Sequence, residues 1–194
     1  MQIRWKVKRK IIVAVLVLIV LYYVISSSYT KYEIDATIPD TKPEDVWEYL
    51  SDFSKMKILN PTILDFKITS DYGNYEHWKY HVEYTERLSH WPYYLNRATA
   101  LYSIKQLPKE EGGYFSVASV HKTCFFLGLF CLKSKGEFRL SVINEKDTYC
   151  VETVFYQCPL FFGQFCKREV EFQRKAIFTN LAQQFKKNNK QTLN

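Results

Sequence analysis

The side chains of this sequence that could do chemistry are few, and most of them stand alone. His77 and His81 share one face of a predicted strand. About 13 Å separates them at roughly 3.3 Å per residue, so they cannot bind one metal ion together. His90 and His121 are isolated, and a solvated or hydrogen-bonded histidine is the simpler interpretation of each. No nucleophile elbow, phosphate-binding loop or HExxH motif is present. We therefore predict neither a metal site nor any other cofactor.

Glu152 could act as an acid inside a folded domain, but the pattern of its strand argues against this role. In the segment TYCVETVFYQC, Glu152 is in phase with Cys150 and Tyr156 and out of phase with Val151 and Phe155. We expect the phase that contains Val151 and Phe155 to face the core, which places Glu152 toward solvent. The sequence therefore displays no buried acid–base pair, and we predict no catalytic residue.

Four of the five cysteines bracket two aromatic segments. Cys124 and Cys131 flank FFLGLF, and Cys158 and Cys166 flank PLFFGQF, which leaves Cys150 over. In an oxidising compartment each pair could close its loop as a disulfide, but four cysteines allow three pairings and sequence does not fix the connectivity. Buried free thiols are the alternative, since Cys166 also fits the apolar stripe of a predicted helix. Zinc is disfavoured because no Cys-x-x-Cys pair is present.

The positive charge of the chain is concentrated at its N-terminus. The net charge is +7, but five of the 27 lysines and arginines precede Ile11 and no acidic residue precedes Glu33. Residues 31–194 therefore hold 22 basic against 20 acidic side chains. No basic stripe interleaved with exposed aromatic residues is evident, so we do not expect nucleic acid as a partner.

Residues 11–25, IIVAVLVLIVLYYVI, contain no charged residue, glycine or proline. Extended to Tyr29 this run has 19 residues, close to the roughly 20 that a helix needs to cross a bilayer. We predict an uncleaved single-pass signal anchor at 11–29, with 1–10 as a cytosolic basic segment and the domain lumenal or extracellular. The alternative is a signal peptide cleaved near Ser26 and Ser28, which would release a secreted protein.

The folded domain is predicted at residues 31–187, with a polar tail at 188–194. Alternating apolar and polar residues predict one strand at the start, then two short helices, then six more strands. A long amphipathic helix follows, and its apolar residues recur at four- and seven-residue spacing. Arg174 interrupts this stripe, and we expect it to extend its charge toward water. The stripe consists of Cys166, Val170, Ile177, Leu181 and Phe185.

This order of elements resembles that of the helix-grip superfamily, which includes START lipid-transfer domains, pollen-allergen-type proteins, polyketide cyclases and coenzyme-Q-binding proteins. The phrase IPDTKPEDVWEYLSDFSKMKILNPTILDF is similar to the opening of that superfamily, with the pair Val46-Trp47 on a helix and Asp52-Phe53 at its end. The resemblance extends in order over residues 31–187. It implies an α+β fold in which a seven-stranded antiparallel sheet wraps around the long C-terminal helix.

Three connections that lie at one end of such a sheet are rich in aromatic residues. They are the segments LSHWPYY, FFLGLF and PLFFGQF, which we call the aromatic loops. If the first strand pairs with the last, as the resemblance implies, the N-terminal helix emerges at the same end. These side chains could pack as a minor core, but large apolar clusters at loop tips usually mark a binding or membrane surface. We predict that they form a gate or a membrane-facing surface: Trp91, Tyr93, Phe125, Phe126, Phe130, Phe161 and Phe162.

We predict a membrane-anchored domain that binds a hydrophobic ligand, a lipid or a sterol, without changing it, with the lipid bilayer as a second partner. An enzyme of the cyclase or isomerase type is one alternative, and it requires an acid–base pair inside the cavity. A protein-interaction module that uses the aromatic loops is another, and it requires a filled core. The predicted ligand-binding wall consists of Trp78, Tyr80, Tyr84, Tyr102, Phe138, Phe155, Ile177 and Leu181.

Overall fold

The computed structural model describes residues 2–25, 27–107, 113–125 and 128–192. An N-terminal helix precedes a first strand, two short helices, six further strands and a long C-terminal helix. A single turn of 3-10 helix, Leu160–Phe162, joins the last strand to the last helix. The elements are α1 Gln2–Ile25, β1 Ser27–Ile38, α2 Pro43–Ser51, α3 Phe53–Leu59, β2 Ile63–Gly73, β3 His77–Arg87, β4 Leu95–Gln106, β5 Phe115–Phe125, β6 Phe130–Ile143, β7 Asp147–Pro159 and α4 Gly163–Thr192.

The seven strands form one antiparallel sheet in the order β1-β7-β6-β5-β4-β3-β2. Consecutive strands from β2 to β7 are neighbours, and β1 closes the order by pairing with β7, with Ser27 opposite Pro159. The predicted α+β architecture is confirmed, including the two short helices after the first strand. The pairing of β1 with β7 also brings the end of α1 to the end of the sheet that contains the aromatic loops.

The core lies between the concave face of the sheet and the helices α2, α3 and α4. Val46 and Leu50 of α2 and Ile177 and Leu181 of α4 are fully buried there, because each lies on the apolar face of its amphipathic helix. The indole of Trp47 donates to the carbonyl oxygen of Ser116 over 3.2 Å and so fixes α2 to β5.

The face of β7 that we predicted to be exposed to solvent is the face that packs on the core. Glu152 is 1% exposed and lies in the inward row with Cys150 and Tyr156, whereas Phe155 is 43% exposed on the outer face. The prediction was wrong because both faces of β7 contain apolar side chains, so hydropathy does not select one. A contact with another element determines which face is buried, because Glu152 forms an ion pair with Arg174 of α4.

The N-terminal helix ends earlier than the predicted 11–29 segment. It stops at Ile25, and residues 27–29 already belong to β1, where they pair with β7. The apolar side chains of residues 11–21 are exposed. Among the residues that the structure describes, no helix combines the length and the apolar content needed to cross a bilayer.

Candidate functional site

A cavity of about 520 Å³ lies at the end of the sheet where the aromatic loops are found. The last residues of β3, the first of β4 and the facing ends of β5, β6 and β7 form one side of it. The first turns of α4 form the other side, because the aromatic loop before α4 turns that helix back across the sheet. Most of the side chains in its wall are apolar, among them Leu88, Trp91, Tyr94, Phe125, Phe130, Leu132, Tyr156, Phe162, Phe165 and Val170. We call this space the outer cavity.

The rim of the outer cavity is aromatic and exposed. Tyr93 is 92% exposed and Phe161 is 72% exposed, and Trp91 and Phe162 are also exposed. Behind them the rings of Tyr94 and Phe125 stack with centroids 6.4 Å apart, and Phe130 lies 6.1 Å from Phe125. Of the predicted gate residues, Trp91, Phe125, Phe130 and Phe162 lie in the cavity wall, and Tyr93 and Phe161 lie on the surface beside it. Phe126 lies outside the described residues.

Two disulfides hold two of the three aromatic loops in place. Cys124 is bonded to Cys131 across the β5–β6 connection, and Cys158 at the end of β7 is bonded to Cys166 in the first turn of α4. Cys150 is buried and has no disulfide partner in the described part of the chain. The second disulfide fixes the start of α4 against the sheet, next to the cavity opening.

The remaining aromatic loop, LSHWPYY, is held by a carboxylate of α4. Glu169, which lies in the wall of the outer cavity, accepts a hydrogen bond from the backbone N–H of Ser89 over 2.7 Å and one from its hydroxyl over 2.8 Å. The Nδ1 atom of His90 lies 3.3 Å from the same carboxylate. All three aromatic loops are therefore fastened to a strand or to α4.

A second, smaller cavity of about 80 Å³ lies deeper in the domain, and we call it the inner chamber. Its wall shares four residues with that of the outer cavity, so the two spaces adjoin. The shared residues are Glu86, Thr123, Ser134 and Gln173. Unlike the outer cavity, the inner chamber is lined by many polar side chains, including Ser119, His121 and Arg174.

The charged pair of the inner region is Glu152 and Arg174. The guanidinium Nη1 of Arg174 donates to Oε1 of Glu152 over 2.5 Å. Burial raises the pKa of the Glu152 carboxyl, and the neighbouring Arg174 opposes this shift. The expectation that Arg174 extends toward water was wrong, because a buried carboxylate on β7 offers it a partner inside the domain.

Glu86 lies where the outer cavity meets the inner chamber. It is directly opposite Asn96 in the pairing of β3 with β4, and both side chains are buried. The hydroxyl of Thr123 donates to Oε1 of Glu86 over 3.2 Å. Burial raises the pKa of the Glu86 carboxyl to about 7, and the nearby Glu169 adds to the rise. This carboxyl is consequently a mixture of protonated and ionised forms near neutral pH.

His121 on β5 is neutral inside the inner chamber. Its Nδ1 lies 2.9 Å from the hydroxyl of Tyr84, and its Nε2 lies 2.9 Å from the hydroxyl of Ser119. Burial lowers the pKa of the imidazole to about 3, and the positive charge of Arg174 lowers it further. The interpretation of His121 as a hydrogen-bonded histidine agrees with these contacts, although it lies at the site.

The structure places the residues of the predicted ligand-binding wall in four different surroundings. Tyr84, Tyr102 and Phe138 lie in the wall of the inner chamber. Tyr80, Ile177 and Leu181 are packed in the core away from both cavities, Trp78 is half-buried near the opposite end of β3, and Phe155 is on the outer face. The cavity thus lies against the first half of α4 rather than along its middle.

Sequence reasoning missed Glu86, Asn96 and Arg174 as residues of the site. The alternation of β3 that identifies Tyr80, Val82 and Tyr84 as inward continues in phase to Glu86, so the signal was present. The same holds for Asn96, which alternates in phase with the buried alanines of β4.

Comparison with known proteins identifies the fold. No protein-family model matches the sequence, and no curated protein is significantly similar to it. Among solved structures, the Zhui aromatase/cyclase from Streptomyces sp. R1128 superposes with a TM-score of 0.59 at 13% identity, covering 82% of this chain and 94% of that one. A START superfamily protein from Mycobacterium smegmatis gives 0.54 at 10% identity, covering 82% and 97%. Ara h 8.0201 gives 0.51 at 14% identity, covering 81% and 98%. At these identities the likeness establishes the helix-grip fold alone.

Proposed function

We propose that this chain binds and carries a hydrophobic ligand, a lipid or a sterol, without changing it chemically. The observation that supports the proposal most directly is the outer cavity of about 520 Å³, which has a mainly apolar wall and opens between the aromatic loops. Small-molecule sites are usually cavities of roughly 300 to 1,000 Å³ with walls of this kind. Burial of apolar ligand surface, at about 25 cal/mol per Å², would drive binding.

The ligand would pass between the cavity and a bilayer. The exposed aromatic rim lies at the end of the sheet where α1 meets β1, and α1 contacts the 3-10 turn of the third aromatic loop. We propose that the exposed apolar side chains of α1 are embedded in a membrane and that the rim lies against its surface. The sequence, and not the described helix, is the basis of the proposed topology. The basic residues before Ile11 would stay in the cytosol, and the domain would then lie on the lumenal or extracellular side, where the two disulfides would be stable.

A second candidate function is an enzyme of the cyclase or isomerase type, and one observation favours it. Glu86, in the wall shared by both cavities, has a pKa of about 7, which suits a general acid or base. We prefer the carrier because Glu152 and Arg174 neutralise each other and His121 is neutral. Among the described residues, Glu86 therefore has no second group beside it to complete an acid–base pair. The interaction module is disfavoured because it requires a filled core.

Filling the outer cavity tests the carrier. Val170 lies in its wall, and Val170→Trp should reduce the amount of lipid that mass spectrometry finds in an organic extract of the purified full-length chain. Lys175→Trp, on the exposed face of the same helix, is the matched control and should retain the wild-type amount. Lipid held around α1 is the same in both variants and cancels. Equal lipid content in the two variants would contradict the proposal.

The membrane arrangement is tested separately. In sealed microsomes, added protease should leave residues 31–194 intact until detergent is added, and carbonate extraction should leave the chain in the membrane pellet. Digestion without detergent would show that the domain faces the cytosol. Release by carbonate would show that α1 is not embedded.

A further inference from the structure

Asn96 is a buried polar side chain in the wall of the outer cavity whose hydrogen-bonding capacity is unused. It is 1% exposed. Neither its Nδ2 nor its Oδ1 has a hydrogen-bond partner among the residues that the structure describes. Buried amides in folded proteins are nearly always hydrogen-bonded, because an unpaired buried donor or acceptor is costly. An amide in this position therefore points to a partner that arrives in the cavity.

The groups around Asn96 restrict what that partner can be. Glu86 faces it across the β3–β4 pair, and Glu169 of α4 lies in the same cavity wall. Arg174 is the cation of the inner chamber, but it is already paired with Glu152. The end of the outer cavity that adjoins the inner chamber is thus acidic. Lys133 also lies in the cavity wall, but it is exposed to solvent, so an anionic group at this end would meet the two carboxyl groups.

We propose that Asn96 and Glu86 bind the head group of the hydrophobic ligand, and that this head is uncharged and carries both a hydrogen-bond donor and an acceptor, as a primary amide or a hydroxyl does. The inference rests on the proposed carrier function and specifies the class of its ligand. The head lies at the inner end of the outer cavity, and the apolar chain extends along the wall to the aromatic rim.

The hydrogen-bonding groups of the site match such a head. The carbonyl oxygen of an amide accepts from Nδ2 of Asn96, and its N–H groups donate to Oδ1 of Asn96 and to Glu86. A hydroxyl accepts from Nδ2 and donates to Oδ1 or Glu86. An ester can only accept, which leaves Oδ1 unpaired. A carboxylate can only accept and is also repelled by Glu86 and Glu169.

Competition binding with a series of head groups tests the inference. The full-length chain is reconstituted in lipid nanodiscs and labelled with an alkyl probe that carries a photoreactive diazirine. Competitors are saturated chains of equal length that end in a primary amide, an alcohol, a methyl ester or a carboxylate. We expect the amide and the alcohol to compete about tenfold better than the ester, the worth of about one net hydrogen bond.

The variant Asn96→Leu should lose this selectivity. Competition by the amide should weaken about tenfold, to the level of the ester, while competition by the ester stays within about threefold of wild type. Ratios between variant and wild type cancel partition into the bilayer. Thr99→Leu, on the outer face of the same strand, is the matched control and should retain the wild-type order. The thermal midpoint of Asn96→Leu should equal or exceed that of wild type, because an unpaired buried amide is removed.

The outcomes separate the inference from the function on which it rests. If the wild-type chain is labelled but all four head groups compete equally, or if the carboxylate competes best, the inference is wrong and the carrier stands. If the probe is not captured and no competitor binds, the carrier itself is wrong. If Asn96→Leu fails to fold, the competition data for the wild-type chain decide. The inference stands if the amide and the alcohol compete better than the ester with wild type, and it is wrong if they do not.

Discussion

Replacement of Glu86 by glutamine should change how the stability of the domain depends on pH. Burial raises the pKa of the Glu86 carboxyl from 4.5 to about 7 in the folded chain. In the unfolded chain the carboxyl is in water and has its ordinary pKa. Between these two values the folded state binds more protons than the unfolded state, so the free energy of unfolding falls as the pH rises through this window.

The size of the effect follows from the two pKa values. A shift from 4.5 to about 7 lowers the free energy of unfolding by about 2.5 kcal/mol between about pH 5 and about pH 8. Glutamine does not titrate, so Glu86→Gln should become more stable relative to wild type by this amount over the same range. His121 has the opposite sign, because its pKa is lowered to about 3 and its contribution is lost as the pH falls below 6.5. Both chains contain His121, so their difference isolates Glu86.

Urea unfolding of the full-length chain in detergent micelles, followed by tryptophan fluorescence, measures this difference. Wild type and Glu86→Gln are compared at several pH values, with Glu83→Gln on the outer face of the same strand as the matched control. The control should follow the wild-type profile. If the stability difference between Glu86→Gln and wild type is the same at every pH, Glu86 does not titrate with a raised pKa. The description of Glu86 as a carboxyl that is partly protonated near neutral pH would then be wrong.

Three further predictions concern the covalent frame, the buried ion pair and the rim. Alkylation of the unreduced protein in denaturant should find one free thiol, that of Cys150, and five free thiols would contradict both the disulfides and the lumenal placement. Arg174→Met should lower the free energy of unfolding by about 3 to 5 kcal/mol, because it leaves a buried carboxylate unpaired. A second change, Glu152→Met, should restore most of that loss, and a double variant no more stable than the single one would show that the two are not coupled. Joint replacement of Phe161 and Phe162 by serine should slow lipid uptake from vesicles without changing the amount bound at equilibrium, and unchanged rates would argue against the rim as the point of transfer.

The sequence predicts the inward rows of strands well where one face is clearly polar. In β3, His81 and Glu83 mark the solvent side, so the inward phase of Tyr80 and Tyr84 is unambiguous. In β7 the acidic residue at the middle of the strand, Glu152, is buried. Its burial depends on Arg174, which lies on another element, and no local pattern contains that information.

The position of the cavity could not be predicted from the faces of the elements alone. The stripe of α4 correctly places Ile177 and Leu181 toward the sheet, but α2 and α3 fill the space there and those residues become core. The cavity opens only near the first turns of α4, which the short helices do not reach. Its location is set by how far the helices extend along the sheet, a property of tertiary packing.

The pairing of β1 with β7 also determines the order in which the chain can fold. The hydroxyl of Thr153 donates to Glu33 across a sequence separation of 120 residues. At a synthesis rate of about 5 to 20 residues per second, β7 is therefore completed on the order of ten seconds after β1. Throughout that interval β1 is an unpaired edge adjoining the apolar helix α1, open to wrong pairing with other chains. The sheet can form from β2 to β7 in the meantime, so β1 is synthesised first but is the last strand to pair. The pairing of β1 with β7 then also brings α1 to the opening of the cavity.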